Sequence, residues 1–322
     1  MTAFRSDAGF AHEALFYAGD DGFLAGTLPF LREGAARREP MLVVIAAEKI
    51  RKLRAALGAD ADAVTFADMA GVGRNPARII PAWQEFIDDN LREGQRVRGI
   101  GEPIWAARSA SELVEAQRHE SLLNLAFEGS GDWSLLCPYD VRALDAAVLE
   151  EAERSHPVLV EDGARRASSK CRGLPSIREP FDTPLPESPV ESDALAFDDE
   201  GSLGDVRAWV ARRALGSGLS DVQAEQLVLA VHEAVANSIR YGDGRGRLRM
   251  WNQDDGAVCE VWSEGRVLEA MAGRERPAMA ATRGRGLWMA NQLCDLVQVR
   301  TFPDGSVVRL HMRGDAPVVG TP

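Results

Sequence analysis

The chain has 322 residues, 45% hydrophobic and 27% charged, which suits two soluble domains that each bury a core. Its formal net charge is −12 with no basic block to offset it, which argues against direct nucleic-acid binding or attraction to anionic lipid. The four cysteines, Cys137, Cys171, Cys259 and Cys294, lie far apart without a C-x-x-C pair, so neither a disulfide framework nor a zinc finger is expected.

The longest clean apolar run, MLVVIAA at 41–47, is far too short for a membrane span. The N-terminus has no basic region followed by an apolar core. A cytoplasmic protein with no membrane contact is the expectation.

In chain order, HEALFYA reads as a first strand and DDGFLAGTLPFLREGAARRE as a helix that Pro29 would interrupt or kink. MLVVIAA is a buried strand, 48–57 a short amphipathic helix, AVTFADMA a strand and 76–92 a helix. RVRGIGEPI precedes a long helix over 109–128, and WSLLCPYD precedes a helix over 141–154. Strands without apolar–polar alternation, each followed by a helix, predict a parallel sheet covered on both faces. No G-x-x-x-x-G-K-[ST] occurs, so this half is not a P-loop nucleotide site.

His12, His119, Cys137 and His156 would form a metal or ligand site if strand and helix ends converge, although their spacing matches no standard zinc pattern. The plainer readings are a satisfied helical histidine at His119 and a small buried hydrophobe at Cys137. Trp105 and Arg108, in GEPIWAAR, are the stronger pocket-shaping candidates, because loops after parallel strands commonly carry binding residues. Trp105 reads equally well as core.

The segments RVRGIGEPIWAARSASELVEAQRHESLLNLAF and LLCPYD, with His156–Pro157, resemble the MEDS sensory domain over about 10–160. That resemblance implies a RecA-like α/β fold without its P-loop and a sensor for a small organic ligand of the hydrocarbon-derivative class.

Residues 161–193 hold five prolines between 175 and 189 and show no helical or strand period, so an exposed linker is expected there. The second domain, 194–314, opens with ALAF as a short strand. The helix SLGDVRAWVARRAL follows, with Ser202 as its candidate cap, and then LSDVQAEQLVLAVHEAVANSIRYG, capped by Ser220 and ending near Gly242. RGRLRMWNQ and GAVCEVWSEG form a hairpin through DDG, a helix spans 286–296, and LVQVRTF pairs with GSVVRLHM through PDG. This order predicts a two-layer α/β sandwich on a mainly antiparallel sheet.

Within the second long helix, Glu233 and Asn237 are four residues apart and therefore share a face. An amide oxygen is a hard ligand suited to Mg²⁺, and a carboxylate one turn away can take a proton from a nucleophile attacking a terminal phosphate. Many exposed helices carry such a pair with no role. Here, however, Gly284 and Gly286 stand directly before an apolar helix, where free backbone N–H groups attract an anion. Ser306 adds a small hydroxyl at the start of the last strand.

E-A-V-x-N, then G-x-G-L at a helix start, then G-S before a final strand resembles the GHKL ATPase (Bergerat) fold. The spacing resembles its anti-sigma-factor serine/threonine kinase branch. The resemblance implies an ATP and Mg²⁺ site. Glu233 would be the general base and Asn237 the Mg²⁺ ligand. Gly284 and Gly286 would be the phosphate-lid backbone and Ser306 an adenine-side hydroxyl. The implied partners are a sigma factor or an anti-sigma antagonist, and a homodimer is among the assemblies compatible with the sequence.

One motif departs from the family. Where D-x-G-x-G is expected this chain has SEGRV: Ser263 replaces the adenine-reading aspartate, Gly265 is kept and Val267 replaces the second glycine. Losing a charge-assisted hydrogen bond costs roughly 1.5–3 kcal/mol. Two functions follow: a sensor-controlled kinase that phosphorylates Ser or Thr of an antagonist, or a non-catalytic module that sequesters a sigma factor or antagonist. The sequence argues against a histidine kinase, since none of the five histidines opens an E-R or D-E box on a dimerisation helix and the linker cannot form a helical hairpin.

Overall fold

The computed structural model describes residues 9–92, 95–172, 181–242, 244–253, 256–278 and 284–314. Contacts divide the chain into two units, Met1–Phe181 and Asp182–Pro322.

The first unit runs β1 (Phe10–Tyr17), α1 (Gly19–Arg37), β2 (Met41–Ile45), α2 (Ala47–Leu57), β3 (Val64–Asp68), α3 (Met69–Val72), α4 (Ile79–Asn90), β4 (Val97–Gly101), α5 (Ala110–Ala126), β5 (Trp133–Asp140), α6 (Ala146–Ser155), β6 (Val158–Glu161) and β7 (Ala164–Ala167). The seven strands lie in the order β3-β2-β4-β5-β1-β6-β7. All neighbours are parallel except the β6–β7 hairpin.

Every residue of β2 is buried, as both-face coverage requires of a central parallel strand. Leu15 and Tyr17 of β1 pack with Phe23, Leu31 and Leu136 in a core on one side of the sheet. Because strand side chains alternate, His12 and Ala14 take the opposite face of β1.

Two local expectations change. Pro29 does not interrupt α1, which runs through it over Gly19–Arg37 although its imino nitrogen has no hydrogen to donate to the preceding turn. Residues 164–167, inside the stretch expected as linker, form the strand β7. Among the linker prolines, Pro175 and Pro180 lie outside the described residues.

The second unit runs β8 (Asp193–Phe197), α7 (Ser202–Ala214), α8 (Asp221–Tyr241), β9 (Gly246–Gln253), β10 (Gly256–Ser263), α9 (Arg285–Leu293), β11 (Leu296–Phe302) and β12 (Gly305–Arg313). The sheet order is β11-β12-β10-β9-β8, antiparallel throughout. This is the two-layer α/β sandwich expected from the sequence. The β9–β10 turn residues, 254 and 255, lie outside the described residues.

Ser220 caps α8 with a reciprocal pair: the Gln223 N–H donates to Ser220 Oγ at 3.4 Å and the Ser220 N–H donates to Gln223 Oε1 at 2.9 Å. Ser202 is the first residue inside α7 rather than its cap, which is Gly201 and makes no side-chain bond.

The apolar stripe of α8, Ala224, Leu227, Ala230, Val231, Ala234 and Val235, recurs every three or four residues and is buried. It packs with Leu248, Cys259, Leu310 and Ala290 in one core. Full burial of each larger side chain contributes about 1.5–3 kcal/mol. Glu233 and Asn237 lie at the margin of that stripe, both half-buried.

Candidate functional site

The glycine-led start of α9 meets Glu233 and Asn237. A Cβ placed on Gly286 would fall on Asn237 Nδ2 and lie 2.9 Å from Glu233 Oε2. The first turn of α9 is therefore seated so close to the carboxylate–amide pair that any larger residue at 286 would push those two side chains aside. Gly284 caps α9 in the left-handed region at φ 81°, with open space where its Cβ would be. Arrival at α9 through a left-handed glycine leaves the first-turn N–H groups without helical partners. The preceding residues Thr282 and Arg283 lie outside the described residues.

Beside this junction is a cavity of about 740 Å³, within the size range of small-ligand sites. Its lining includes Asn237, Ser263, Gly265, Gly284 and Ser306, which sequence reasoning had placed together. Glu233 and Gly286 are not among the lining residues; Gly286 adjoins Asn237, which is. The 268–278 segment supplies much of the remaining wall, including Leu268, Met271 and Gly273. Asn291, buried in α9, pins that wall by donating to the Gly273 carbonyl at 2.9 Å. No motif marked this segment, because an irregular loop has no period to detect. Arg266 and Arg276 bring cations to the lining, and Glu269 and Glu275 bring carboxylates.

Ser263 ends β10 directly across from Ser306 of β12, and both are buried. Ser306 Oγ accepts the Val267 N–H at 3.0 Å, and Thr301 Oγ1 donates to the Val267 carbonyl at 2.8 Å. The two hydroxyl oxygens are 3.2 Å apart. Since the Thr301 proton goes to a carbonyl, Ser306 donates to Thr301, and the three bonds close a ring. Ser306 is thus engaged in holding the loop as well as lining the cavity. Gly265 has a structural reason of its own: a Cβ there would lie 2.7 Å from Gly242 Cα, where the loop crosses the end of α8.

The donor set fits a magnesium nucleotide in outline. Asn237 offers one hard oxygen, the α9 start offers backbone N–H groups, and glycine at 286 leaves Asn237 and Glu233 close against that start.

In the first unit, three of the four candidate cysteine and histidine residues converge. His12 on β1, Cys137 on β5 and His156 after α6 gather around Glu120 of α5, all buried, with their ligand atoms within 4.8 Å of one another. Glu120 Oε2 is 3.1 Å from His12 Nε2 and 3.3 Å from His156 Nε2. Cys137 Sγ is 3.4 Å from His12 Nε2.

Burial, reinforced by the neighbouring His156, lowers the His12 pKa to about 4. Burial alone would raise Glu120, but the hydrogen bonds that His12 and His156 donate when their Nε2 atoms are protonated outweigh that and hold it well below the usual carboxylate range. Burial, with Glu120 beside it, pushes the Cys137 thiol up. His119 is buried on the same helix but is not a member of this group. Glu120 escaped sequence reasoning because its helix, dense in buried charge, shows no amphipathic stripe that would set one carboxylate apart.

Trp105 and Arg108 sit elsewhere, in the loop after β4. The Arg108 guanidinium stacks 3.9 Å from the Trp105 ring centroid and donates to the carbonyls of Pro103, at 2.5 Å, and Gly73, at 2.7 Å. At the same carboxyl end of the sheet, Lys49 Nζ lies 2.5 Å from both Tyr17 Oη and Glu102 Oε1, and Tyr17 donates to Glu102 at 2.7 Å. Burial raises the Glu102 pKa despite the Lys49 ammonium.

Residues 11–157 match the family model of MEDS, the methanogen/methylotroph DcmR sensory domain. Residues 196–312 match the histidine kinase-like ATPase domain. Among solved structures, the chain matches the RsbU and RsbW domains of a protein from Mycobacterium tuberculosis at 18% identity and a TM-score of 0.32. That match covers 42% of this chain and 36% of the other, so it spans little more than a third of that protein's length. No curated protein matches the sequence.

Proposed function

We propose that this chain, a MEDS sensory domain joined to a histidine kinase-like ATPase domain, is a signalling regulator. In this reading a small organic ligand bound by the first domain controls an anti-sigma-factor kinase-like second domain. The second domain transfers phosphate from ATP to Ser or Thr of an antagonist protein, binds a sigma factor, or does both. The cytoplasm, where sigma factors work, is the compartment this reading requires.

The observation that carries it is the seating of Gly286 against Glu233 and Asn237, with Asn237 lining the cavity. Asn237 would hold Mg²⁺, which supplies charge neutralisation on the phosphates when bound. Glu233 would accept the proton of the attacking hydroxyl. The start of α9 and the lining arginines would hold the phosphate chain. The Ser263–Ser306 end of the cavity would take the base.

A second reading rests on Ser263 itself. A neutral hydroxyl at the adenine-reading position, with Val267 in place of a glycine, favours a non-catalytic module that sequesters its partner by surface contacts. Calorimetric titration of the full chain with Mg·ATP separates the two. Saturable binding that survives Glu233→Ala, while phosphotransfer to an antagonist is lost, supports the kinase. No binding at millimolar nucleotide leaves the sequestering module.

A further inference from the structure

The buried group in the first unit has the architecture of a metal centre. A four-coordinate shell with bonds of about 2.0–2.3 Å sets its donors roughly 3.3–3.6 Å apart. Three of the six separations, 3.1, 3.3 and 3.4 Å around Glu120 and His12, are close to that spacing, and all six lie within 4.8 Å with no cation needed to draw them in.

The outer nitrogens of both imidazoles are already spoken for. His156 Nδ1 lies 2.8 Å from the Ala152 carbonyl, which can only accept, so Nδ1 carries a proton and, in the neutral ring, Nε2 presents a lone pair. Asn124 Nδ2 donates to the Ser155 carbonyl at 2.7 Å, which turns Asn124 Oδ1 toward His12 Nδ1 at 3.1 Å. His12 is thereby held in the same tautomer. An imidazole whose second nitrogen donates to a fixed carbonyl is the usual outer support of a metal ligand.

With both rings neutral, two Nε2 lone pairs and a carboxylate oxygen converge with a single S–H among them. One thiol proton cannot satisfy three acceptors. Glu120 Oε1 and His156 Nε2 are fully buried and lack any aligned hydrogen-bond partner. Buried acceptors facing one another are costly unless a cation lies between them. A divalent ion with one carboxylate, one thiolate and two neutral imidazoles makes a group of zero net charge, so no uncompensated charge is left in the core.

We infer that His12 Nε2, Glu120 Oε2, Cys137 Sγ and His156 Nε2 form a closed four-coordinate site for a divalent metal of zinc's chemistry. The mixed nitrogen, sulfur and oxygen set selects zinc over magnesium or calcium, and four protein ligands leave no open position for substrate. On binding, Cys137 loses its proton to solvent and the thiolate sulfur forms the metal bond. The ion would join β1, β5, α5 and the α6–β6 junction, four segments drawn from the whole length of this unit. The inference stands apart from the nucleotide reading of the second unit.

The test uses the full chain, purified without chelator. Plasma emission should find one zinc per chain beyond any loosely bound metal removed by desalting. Replacing zinc with Co²⁺ should give a near-ultraviolet thiolate-to-cobalt band and the intense visible absorption of four-coordinate cobalt. Cys137→Ser should remove the thiolate band, and Glu120→Gln should lower metal retention during dialysis. Wild-type protein that holds no stoichiometric metal after refolding with Zn²⁺ overturns the inference. So does an unchanged cobalt spectrum in Cys137→Ser, which would place the metal elsewhere. If the variants do not fold, the wild-type cobalt spectrum decides alone, since four-coordinate cobalt without a thiolate band would exclude Cys137.

Discussion

Ser306 holds Val267 by its backbone: the serine oxygen accepts the Val267 N–H at 3.0 Å, while Thr301 takes up the Val267 carbonyl at 2.8 Å. Val267 is therefore fixed through atoms that every amino acid except proline shares. Its isopropyl group, and not its hydrogen-bond ring, is what differs from glycine.

The double change Ser263→Asp with Val267→Gly should therefore keep the ring intact while restoring an acceptor for an adenine amino group. ATP binding should tighten about ten- to a hundredfold, with a new preference for adenine over guanine nucleotides. Calorimetric titration with both nucleotides checks it. No gain would mean that the neutral hydroxyl at 263 is not what limits binding.

Gly284 and Gly286 should respond differently to alanine. Gly284→Ala meets open space and is opposed only by its positive φ, at about 1–2 kcal/mol. Gly286→Ala displaces the Asn237 amide and the Glu233 carboxylate from where they now lie. Thermal melting should show the larger loss for Gly286→Ala, and nucleotide binding should disappear in that variant alone. Equal losses in both would show that the close seating of α9 has no part in the site.

Glu102 gives the first unit a pH signature of definite sign. Burial raises its folded pKa above the unfolded value, so its contribution to stability is complete at acid pH and is lost as pH rises through the folded pKa. Other carboxylates act in the opposite sense: the hydrogen bonds and charge of Arg98 hold Glu33 down in spite of partial burial. The quantity to follow is thus the difference in melting temperature between wild type and Glu102→Gln from pH 4.5 to 8. Wild type should lose ground to the variant as pH rises. A flat difference would show that Glu102 is ionised in the fold as readily as out of it.

Much of the second unit could be read from the chain alone because its signals are local. A capping serine, an apolar repeat and a four-residue spacing put Glu233 and Asn237 on one face without reference to any other segment. Gly284 and Gly286 announce a tight entry to a helix in the same way. The role of Gly265 could not be read, since it depends on Gly242 arriving from the end of another element. Nor could Glu120, which becomes distinctive only when β1, β5 and the end of α6 bring His12, Cys137 and His156 to it. Strand β7 was hidden for a different reason: all four of its residues, ARRA, are exposed, so burial leaves no apolar pattern in its sequence.

That exposed strand bears on how the first unit guards the edge of its sheet. Without β7, the edge of β6 would offer a row of unpaired N–H and C=O groups to any extended chain nearby. The β7 backbone pairs with that row, and β7, now the outer strand, carries the cations Arg165 and Arg166, with Arg165 reaching back across β6 to Glu13 of β1 at 3.0 Å. A fragment cut at residue 160 would bare a sticky edge and tend toward sheet-to-sheet aggregation. A fragment cut after residue 172 would carry its own guard rail.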